Sequence, residues 1–448
     1  MITYQDLTAA ATQEKRIKLI EAAISEHKSS EAYKTAQDAI EYDKHRNVTI
    51  GKYQKLLYTL SGAAVPDNYT ANHKISSGFF PFFVTQQNQY LLGNGATLEK
   101  TENKEKLGRK FDIVLQKLGR DALVCGVSFG FWNHDHLEAF TLTEFAPLWD
   151  ESTGKLAAGI RFWQIDAEKP LHVTLYEPDG YEQYIKQSDG ELQLTAEKTS
   201  YIQLTRTSPA DGTEIIGGEN YSTLPIVPLW GNPHRQSEIV GIRSQIDAFD
   251  LIKSGFANDL DDASMIYWTL TNTCGMDDID LARFIEHMKT VKAAVVDGDS
   301  GVKAEAHTID VPYASRVAYL ERLEKDLYQD YQALNISEIS SGNKTATEIR
   351  AAYQPIDNKA DQYEYCVLEF LEEIFALAGV EDKPSFIRSR ISNQTEETQM
   401  VLLAAQYLDD ETLLKKLPWL TPEEVTAILD NRDIESLSRF GGNPPKEV

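Results

Sequence analysis

The feature that most constrains the fold is a pair of long, narrow apolar stripes in the second half of the chain. From Ser237 onward, apolar residues recur at steps of three or four over about 24 residues, which makes a helix of roughly 35 Å. The residues of this first stripe are Ile239, Ile242, Ile246, Phe249, Ile252, Phe256 and Leu260. Those of a second, similar stripe are Tyr313, Val317, Leu320, Leu323, Leu327, Tyr331 and Leu334. The sequence therefore predicts two long helices of similar length.

A compact segment, residues 262–311, separates the two stripes. It contains a short helical pattern and two strand-like pieces, "KAAVVDG" and "HTIDV". Two long helices around a small insert most simply form an antiparallel pair. Because each stripe is narrow, the pair alone would bury little apolar surface. We therefore expect it to pack against further copies of the same chain.

A third long helix is predicted over residues 345–378, with Gly379 as its stop. Thr345 and Glu348 fit a capping box, in which two side chains satisfy reciprocal N–H groups at a helix start. Pro355 lies inside this helix. Proline removes a backbone hydrogen bond and clashes with the preceding turn, so we expect a kink or a break just before it.

The loop before this helix reads "SSGNKT" and carries one cation, Lys344. Gly342 and Asn343 tolerate positive φ, and serine side chains compete with the backbone for hydrogen bonds. Such a loop either only connects two helices or projects from the fold and contacts a ligand.

The rest of the chain divides into helical and β-rich parts. Residues 1–60 read as helices with a break at Ser29 and Ser30, and residues 393–437 read as short amphipathic helices. An aromatic run, "FFPFF", precedes a helical pattern that Gly93 ends. Residues 120–230 hold short alternating runs separated by Asp-Gly turns, which predicts an antiparallel sheet with hairpins. The fold class is therefore α+β.

Composition excludes several classes of protein. The chain has 448 residues and a formal net charge of −25, so it does not wrap nucleic acid by neutralising phosphates. Its three cysteines are far apart and form no CxxC pair, which indicates reduced thiols rather than a disulfide framework or a thiolate metal site. The first residues lack the apolar core of a signal peptide, and no apolar run reaches the length of a membrane span.

Catalytic and metal-binding motifs are weak. Ser128 lies in "GVSFG", which matches the G-x-S-x-G nucleophile motif, but that motif needs a strand before the serine and a helix after it. A strand before Ser128 is plausible, whereas the following residues read as a hairpin. His134, Asp135 and His136 fit a hairpin turn better than a metal site, because spacing supplies no further ligand. No phosphate-binding loop and no G-x-G-x-x-G motif is present.

Several stretches, in this order, resemble the portal proteins of long-tailed double-stranded DNA bacteriophages. They are "NHKISSGFFPFFVTQQNQYLLGNGATLE", "GVSFGFW", "TEFAPLWD", "SEIVGIRSQIDAFDLIKSGFANDLDD" and the Ser-Gly that precedes a long helix. The resemblance covers about residues 30 to 435. Phe129 and Phe249 depart from it, since the family usually has tyrosine there, and the final helices match only in pattern.

The resemblance implies a portal fold assembled as a ring, with a wing, stem, clip, tunnel loop and crown. The implied segments are an N-terminal and wing part at 1–235, stem helices at 236–262 and 312–336, a clip at 263–311, a tunnel loop at 337–346, a kinked wing helix at 345–378, crown helices at 379–437 and a disordered tail at 438–448.

The resemblance also implies a site and partners. The residues that would line the DNA tunnel are Ser340, Ser341, Gly342, Asn343, Lys344 and Thr345. Pro355 would kink the helix above them. The implied partners are about twelve copies of the chain, double-stranded DNA bound without regard to sequence, a terminase motor, a head–tail connector, and the major capsid and scaffolding proteins. No cofactor, metal, membrane or enzymatic activity is implied. The protein would assemble in the bacterial cytoplasm and reside at a capsid vertex of the virion.

Two other functions stay open at this point. One is another ring-forming head–tail adaptor, although adaptors are usually shorter and lack the long kinked helix. The other is a serine hydrolase that uses Ser128. The acidic charge has two interpretations as well, because it could repel DNA from a channel wall or only keep a large ring soluble.

Overall fold

The structure, a computed structural model, describes residues 2–58, 62–67, 72–187, 190–208, 212–263, 267–271, 303–307, 313–340, 345–388, 401–407 and 409–415, and positions 417, 425, 428 and 429. It combines helices with antiparallel sheets, which confirms the predicted α+β class. The helices are α1 (Tyr4–Thr8), α2 (Gln13–Ser29), α3 (Glu31–Asp43), α4 (Val48–Lys52), α5 (Phe79–Leu92), α6 (Thr101–Lys106), α7 (Phe111–Cys125), α8 (Arg243–Ala263), α9 (Tyr313–Tyr331), α10 (Ile336–Ser340), α11 (Ala346–Ala378) and α12 (Asp410–Lys415).

The strands form small antiparallel sheets. They are β1 (Leu56–Tyr58), β2 (Ala64–Pro66), β3 (Ala96–Thr97), β4 (Val127–Asn133), β5 (His136–Thr141), β6 (Phe145–Trp149), β7 (Leu156–Trp163), β8 (Leu171–Glu177), β9 (Gly180–Lys186), β10 (Gln193–Thr199), β11 (Ile202–Ser208), β12 (Gly212–Glu219), β13 (Ile226–Trp230), β14 (Tyr267–Thr271), β15 (Lys303–His307) and β16 (Ser385–Phe386). The largest sheet has the order β10-β9-β8-β7-β6, and a second has the order β13-β4-β5. Most neighbours in these sheets are also neighbours in sequence, as the hairpin prediction requires.

Polar side chains separate the N-terminal helices. Ser30 ends α2 and starts α3, because its hydroxyl donates to the carbonyl of His27 at 2.7 Å and accepts the N–H of Tyr33 at 3.2 Å. Asn47 caps α4 in the same way, with its side-chain oxygen 3.0 Å from the nitrogen of Ile50. A side-chain oxygen at this position satisfies an N–H group that the helix itself leaves free. The predicted break at Ser29 and Ser30 is confirmed.

The boundary between α7 and β4 differs from the prediction. The run "ALVCGVSFGFW" lies in residues 120–230, which were predicted to form an antiparallel sheet, but its first four residues belong to α7. These four residues are helical because they continue the buried face of α7, on which Phe111, Leu115 and Leu118 already lie with helical spacing. Gly126 then ends the helix with φ of +91°, in the region that favours glycine. An added Cβ there would lie 2.9 Å from the backbone of Gln236.

The long helix α11 packs against α5, β4 and β13. It begins after Thr345 and ends at Gly379, which has φ of +64° and forms the predicted left-handed cap. The helix continues through Pro355 without a break. Residues on both sides of the proline, Tyr353 and Ile356, are buried, so packing holds both parts in place. A kink at Pro355 stays a prediction.

Gly119 permits a close approach of α7, α5 and α11. An added Cβ at this position would lie 2.1 Å from the hydroxyl oxygen of Tyr363 and 2.6 Å from Oδ1 of Asn88. These two groups are hydrogen-bonded to each other, with the Tyr363 hydroxyl donating to Asn88 Oδ1 at 3.1 Å. Glycine is therefore required for a buried polar contact between two other helices.

We predict that Gly119→Ala destabilises the protein. Alanine normally stabilises a helix interior relative to glycine by about 0.5–1 kcal/mol. Here the Cβ would displace the Tyr363 hydroxyl, and overpacking of this kind costs about 1–3 kcal/mol. The midpoint of urea unfolding should fall. Gly51→Ala is the matched control, because nothing lies within 4 Å of an added Cβ in α4. Equal midpoints for the two variants would contradict the packing argument.

Candidate functional site

The two long helices, α8 and α9, form an antiparallel pair, as predicted. Near one end of the pair, the side-chain amide of Gln245 donates to Asp330. Toward the other end, the rings of Phe256 and Tyr313 lie 5.8 Å apart. Arg316 also forms an ion pair with Asp259 at that end. Contacts at both ends fix the register of the pair.

The bounds of both helices differ from the expected stem segments. α8 begins at Arg243 rather than near residue 236, because Ser237 and the residues after it form turns that pack beneath α7. The Ser237 hydroxyl donates to the carbonyl of Val124, and Ile239 is fully buried. The first apolar positions of the predicted stripe therefore belong to the core. α9 ends at Tyr331, where Gln332 adopts φ of +64°.

A cluster of five aromatic rings holds one end of the pair against α5. The ring of Phe79 meets Phe249 of α8 edge-on at 5.0 Å. The ring of Phe83 stacks on Tyr331 of α9 at 4.8 Å and meets Tyr328 at 5.1 Å. We call these five residues the basal aromatic cluster. The sequence showed the phenylalanine run but not that it joins both long helices.

Burial of the two apolar stripes decreases away from the basal aromatic cluster. In α8, Ile246 is 1% exposed and Leu260 is 53% exposed. In α9, Leu327 is fully buried, whereas Tyr313 is 63% exposed. We call residues 256–263 and 313–320 the distal half of the pair. The expectation that the stripes need further copies of the chain therefore applies to this half, since the chain itself covers the other.

The predicted tunnel residues lie at the junction of α10 and α11. Ser340 is the last residue of α10, and Thr345 caps α11. The other four predicted residues, Ser341, Gly342, Asn343 and Lys344, lie outside the described residues.

The capping box at the start of α11 is confirmed. The N–H of Glu348 donates to the Thr345 hydroxyl oxygen at 3.3 Å, and the N–H of Thr345 donates to Oε2 of Glu348 at 2.9 Å.

An apolar cluster lies beneath this junction. Its buried residues are Tyr90, Leu334, Tyr353, Ile356 and Ala360, and Ile339 of α10 and Ile349 of α11 pack against it. The two helix ends that flank the loop are thus anchored to the same cluster. The Tyr90 hydroxyl also donates to Asp357 at 2.6 Å, which ties α5 to α11. The helices on both sides of the loop are therefore held by the same apolar cluster.

Helix α11 is strongly acidic, with seven Asp or Glu residues and two Lys or Arg residues. Arg388, beyond the end of the helix, neutralises part of this charge, because it pairs with Asp361 at 2.6 Å and also contacts Glu364. Lys359 pairs with Glu238 at 2.7 Å and lies 3.6 Å above the ring of Tyr331.

A partly buried polar network joins α8 to the N-terminal helices. The side-chain amide of Asn47 donates to Asp250 at 2.8 Å, and the Thr49 hydroxyl donates to Asp247 at 2.9 Å. The Tyr42 hydroxyl also donates to Asp247. Burial raises the pKa of the Asp250 carboxyl, whereas its hydrogen bonds oppose this shift. Sequence analysis missed this network, although polar residues recur in α8 beside the apolar stripe.

Ser128 is a structural residue. It is completely buried in β4, and its hydroxyl donates to the carbonyl of Leu118 at 2.8 Å. The element before it is a helix, so the expected strand is wrong, and the predicted hairpin after it is confirmed. The strand–turn–helix context that exposes a nucleophilic serine is therefore missing at this position.

The histidine motif forms the predicted turn. His134 adopts φ of +59° between β4 and β5, and His136 Nδ1 lies 2.7 Å from Asp135. Within the described ranges, no group of three or more His, Cys, Asp or Glu residues is arranged to hold a metal ion. Among the described helices, none combines the length and apolar character needed to span a bilayer.

We predict that Thr345→Val loosens the first turn of α11. Loss of an N-cap costs about 1 kcal/mol, so the amides of Glu348 and Ile349 should exchange with solvent roughly fivefold faster. Thr345→Ser is the control, because it keeps the hydroxyl acceptor. Hydrogen exchange followed by mass spectrometry measures both variants. Identical protection in the valine and serine variants would show that the cap contributes nothing.

Comparisons with known proteins identify the family. The family described as "Phage portal protein, SPP1 Gp6-like" matches residues 25–436. The chain is 24% identical over 432 residues to the portal protein of Bacillus phage SPP1, covering 88% of this chain and 82% of that protein. It is 21% identical over 384 residues to the portal protein of Clostridium phage phiCD119, covering 79% of this chain and 83% of that protein.

Among solved structures, a chain from the neck of an empty GTA particle is similar with a TM-score of 0.44 and 7% identity, covering 82% of this chain and 91% of that chain. The family match spans most of the chain, from the N-terminal helices through the long helix α11. The chain therefore belongs to the SPP1 Gp6-like family of phage portal proteins.

Proposed function

We propose that this portal protein forms a ring of about twelve copies around a channel for double-stranded DNA. The ring occupies one vertex of the capsid, and the genome passes through it during packaging and ejection. The observation that carries this proposal is the distal half of the helix pair, where Leu260 and Tyr313 are exposed. An apolar surface of this kind favours association, because burying it against a neighbour removes it from water.

The proposed division of the ring follows the elements. Helices α8 and α9 form the stem. Residues 263–311 form the clip, in which β14 and β15 pair as antiparallel strands. Residues 1–235 form the N-terminal helices and the wing, to which α11 contributes a long helix kinked at Pro355. Residues 379–437 form the crown, and the predicted tail at 438–448 lies outside the described residues.

The loop between α10 and α11 contacts the DNA in this proposal. The two helices that flank it, α10 and α11, pack against the apolar cluster that includes Tyr90 and Tyr353. Ser340 and Ser341 offer weak, sequence-independent hydrogen bonds to phosphate, while Gly342 and Asn343 let the loop, up to Thr345, follow the passing DNA. Lys344 adds one positive charge per copy. The net charge of −25 of the chain either disfavours tight DNA binding, so that the duplex can slide, or only keeps the large ring soluble.

The protein acts as a structural component of the phage particle without a cofactor or an activity of its own. A separate terminase motor hydrolyses ATP and docks on the ring during packaging. A head–tail connector docks later, and the major capsid and scaffolding proteins surround the ring. Assembly takes place in the cytoplasm of the bacterial host. The buried position of Ser128 supports this assignment over a serine hydrolase.

We predict that Leu260→Lys prevents ring assembly. The side chain is 53% exposed in the single chain, so the change should leave its fold intact, while a lysine buried between copies would be strongly unfavourable. Light scattering should then report a species near the 50.4 kDa chain instead of a ring of roughly 600 kDa. Ile165→Lys is the control, because Ile165 is 82% exposed in the loop between β7 and β8. Normal rings from Leu260→Lys would refute the proposed contact.

We predict that Lys344→Glu lowers DNA packaging or retention several-fold while rings still assemble. Reversing the charge in every copy replaces an attractive ring by a repulsive one, and the effect should weaken as salt increases. Lys344→Arg keeps the charge and should package normally. The measurements are the amount of DNA retained in particles and the size of the purified ring. Normal packaging by Lys344→Glu would contradict the proposal that Lys344 contacts the DNA.

A further inference from the structure

Residues 72–78 follow helix α8 with a regular set of hydrogen bonds. The N–H of Ser77 donates to Oδ1 of Asp250 at 2.9 Å. Two residues earlier, the N–H of Ile75 donates to the hydroxyl oxygen of Ser254 at 2.9 Å. We call residues 72–78 the strap.

The pattern continues toward the distal half of the helix. The N–H of His73 donates to Oδ1 of Asn258 at 2.7 Å, and His73 Nε2 lies 2.5 Å from Asp261. Asp250, Ser254 and Asn258, which we call the acceptor ladder, therefore receive the N–H groups of every second strap residue.

The spacing of alternate N–H groups along the strap matches the spacing of the acceptors along α8. Four residues of an α-helix advance by about 6 Å, and two residues of an extended chain advance by about 6.6 Å. An extended strap can therefore place alternate N–H groups on helix positions that are four apart. The match extends over three successive bonds, so the ladder defines both the register of the strap and the side of α8 that faces it.

The acceptor ladder is shielded from water. The exposed fractions of Asp250, Ser254 and Asn258 are 0%, 4% and 8%. Because water hardly reaches these three side chains, it cannot readily replace the strap N–H groups, and a buried acceptor that loses its partner carries a penalty of about 1–3 kcal/mol. The three bonds therefore resist rotation of the helix beneath the strap.

The intervening strap residues contact the N-terminal helices instead. The Lys74 ammonium group donates to the carbonyl of Gly51 at 2.7 Å, and the Ser76 hydroxyl oxygen accepts the N–H of Asn47 at 3.1 Å. Phe79 of the basal aromatic cluster follows the strap directly. The strap thus connects α8 on one side with α4 on the other, so the body of the chain holds the orientation of the helix.

We propose that the strap is a positioning element that sets the rotation of α8 about its own axis. Successive residues of a helix are about 100° apart, so a rotation of one residue would move all three acceptors away from their N–H groups. The strap thereby selects which side chains of the distal half meet a neighbouring copy and the channel. This last consequence rests on the proposed ring, whereas the orientation of α8 within the chain does not.

The first test removes two acceptors from the full-length protein with the double variant Ser254→Ala, Asn258→Leu. We expect the amides of His73 and Ile75 to exchange at least tenfold faster, because both N–H groups lose their hydrogen-bond acceptors. Asn258→Asp is the matched control, since it keeps an Oδ acceptor, and it should retain the protection of the parent. Unchanged exchange in the double variant would overturn the proposal.

The second test measures the orientation of α8. Removing the acceptors would not change this orientation if the strap only held the two segments together. Single cysteines are placed at Leu251, which is 43% exposed, or at Ile252, which is partly buried, and their labelling by a thiol reagent is quantified by peptide mapping. The cysteine at 251 should react several-fold faster than that at 252 in the parent and in Asn258→Asp. In the double variant, the ratio should approach one.

An unchanged ratio together with faster exchange would show that the strap only ties the segments, and it would overturn the positioning role. Both measurements are made on one oligomeric form of the purified protein. A failure of ring assembly would refute the proposed channel but leave these two readouts interpretable.

Discussion

The basal aromatic cluster is the contact on which the rest of the molecule depends. Phe79 and Phe83 of α5 meet one ring of α8 and two rings of α9, so a single helical turn holds both long helices. Aromatic pairs add about 0.5–1.5 kcal/mol each beyond the burial of their area, and their edge-on or offset geometry gives direction to the contact. Tyr331 extends the cluster further, because its hydroxyl donates to Gln87 at 2.8 Å and Lys359 of α11 lies above its ring.

Apolar burial and hydrogen bonds restrain α8 in two different ways. Near α5, burial of Ile246 and Phe249 holds the helix to the core. Apolar contact is non-directional, however, so it resists separation more than rotation. The acceptor ladder supplies the missing direction, because hydrogen bonds weaken steeply when donor and acceptor are misaligned. Beyond Asn258 the apolar positions lie open, which leaves the distal half available to another copy.

Local signals predicted many elements correctly. The break at Ser30, the capping box of Thr345 and Glu348, and the glycine stop at Gly379 each depend on residues a few positions apart, and all three are present. The errors arose where one apolar run could serve either structure, as in the residues before Gly126. Ile239 continued the helical spacing of α8 but belongs to a buried turn, since its position is decided by packing beneath α7. The sequence did not predict the acceptor ladder, because polar residues on a helix ordinarily face solvent.

By itself, the sequence determined the α+β class, the two long apolar stripes and the start and end of α11, because periodicity and capping act between neighbouring residues. It also carried enough family-specific order to indicate a portal protein. Only the tertiary structure decided how far each stripe is covered by its own chain, that Ser128 is a buried structural residue, and that residues 72–78 align with α8. The strap bonds, for example, join residues that are 173 to 185 positions apart in the chain, and such contacts arise only when a common core brings the segments together.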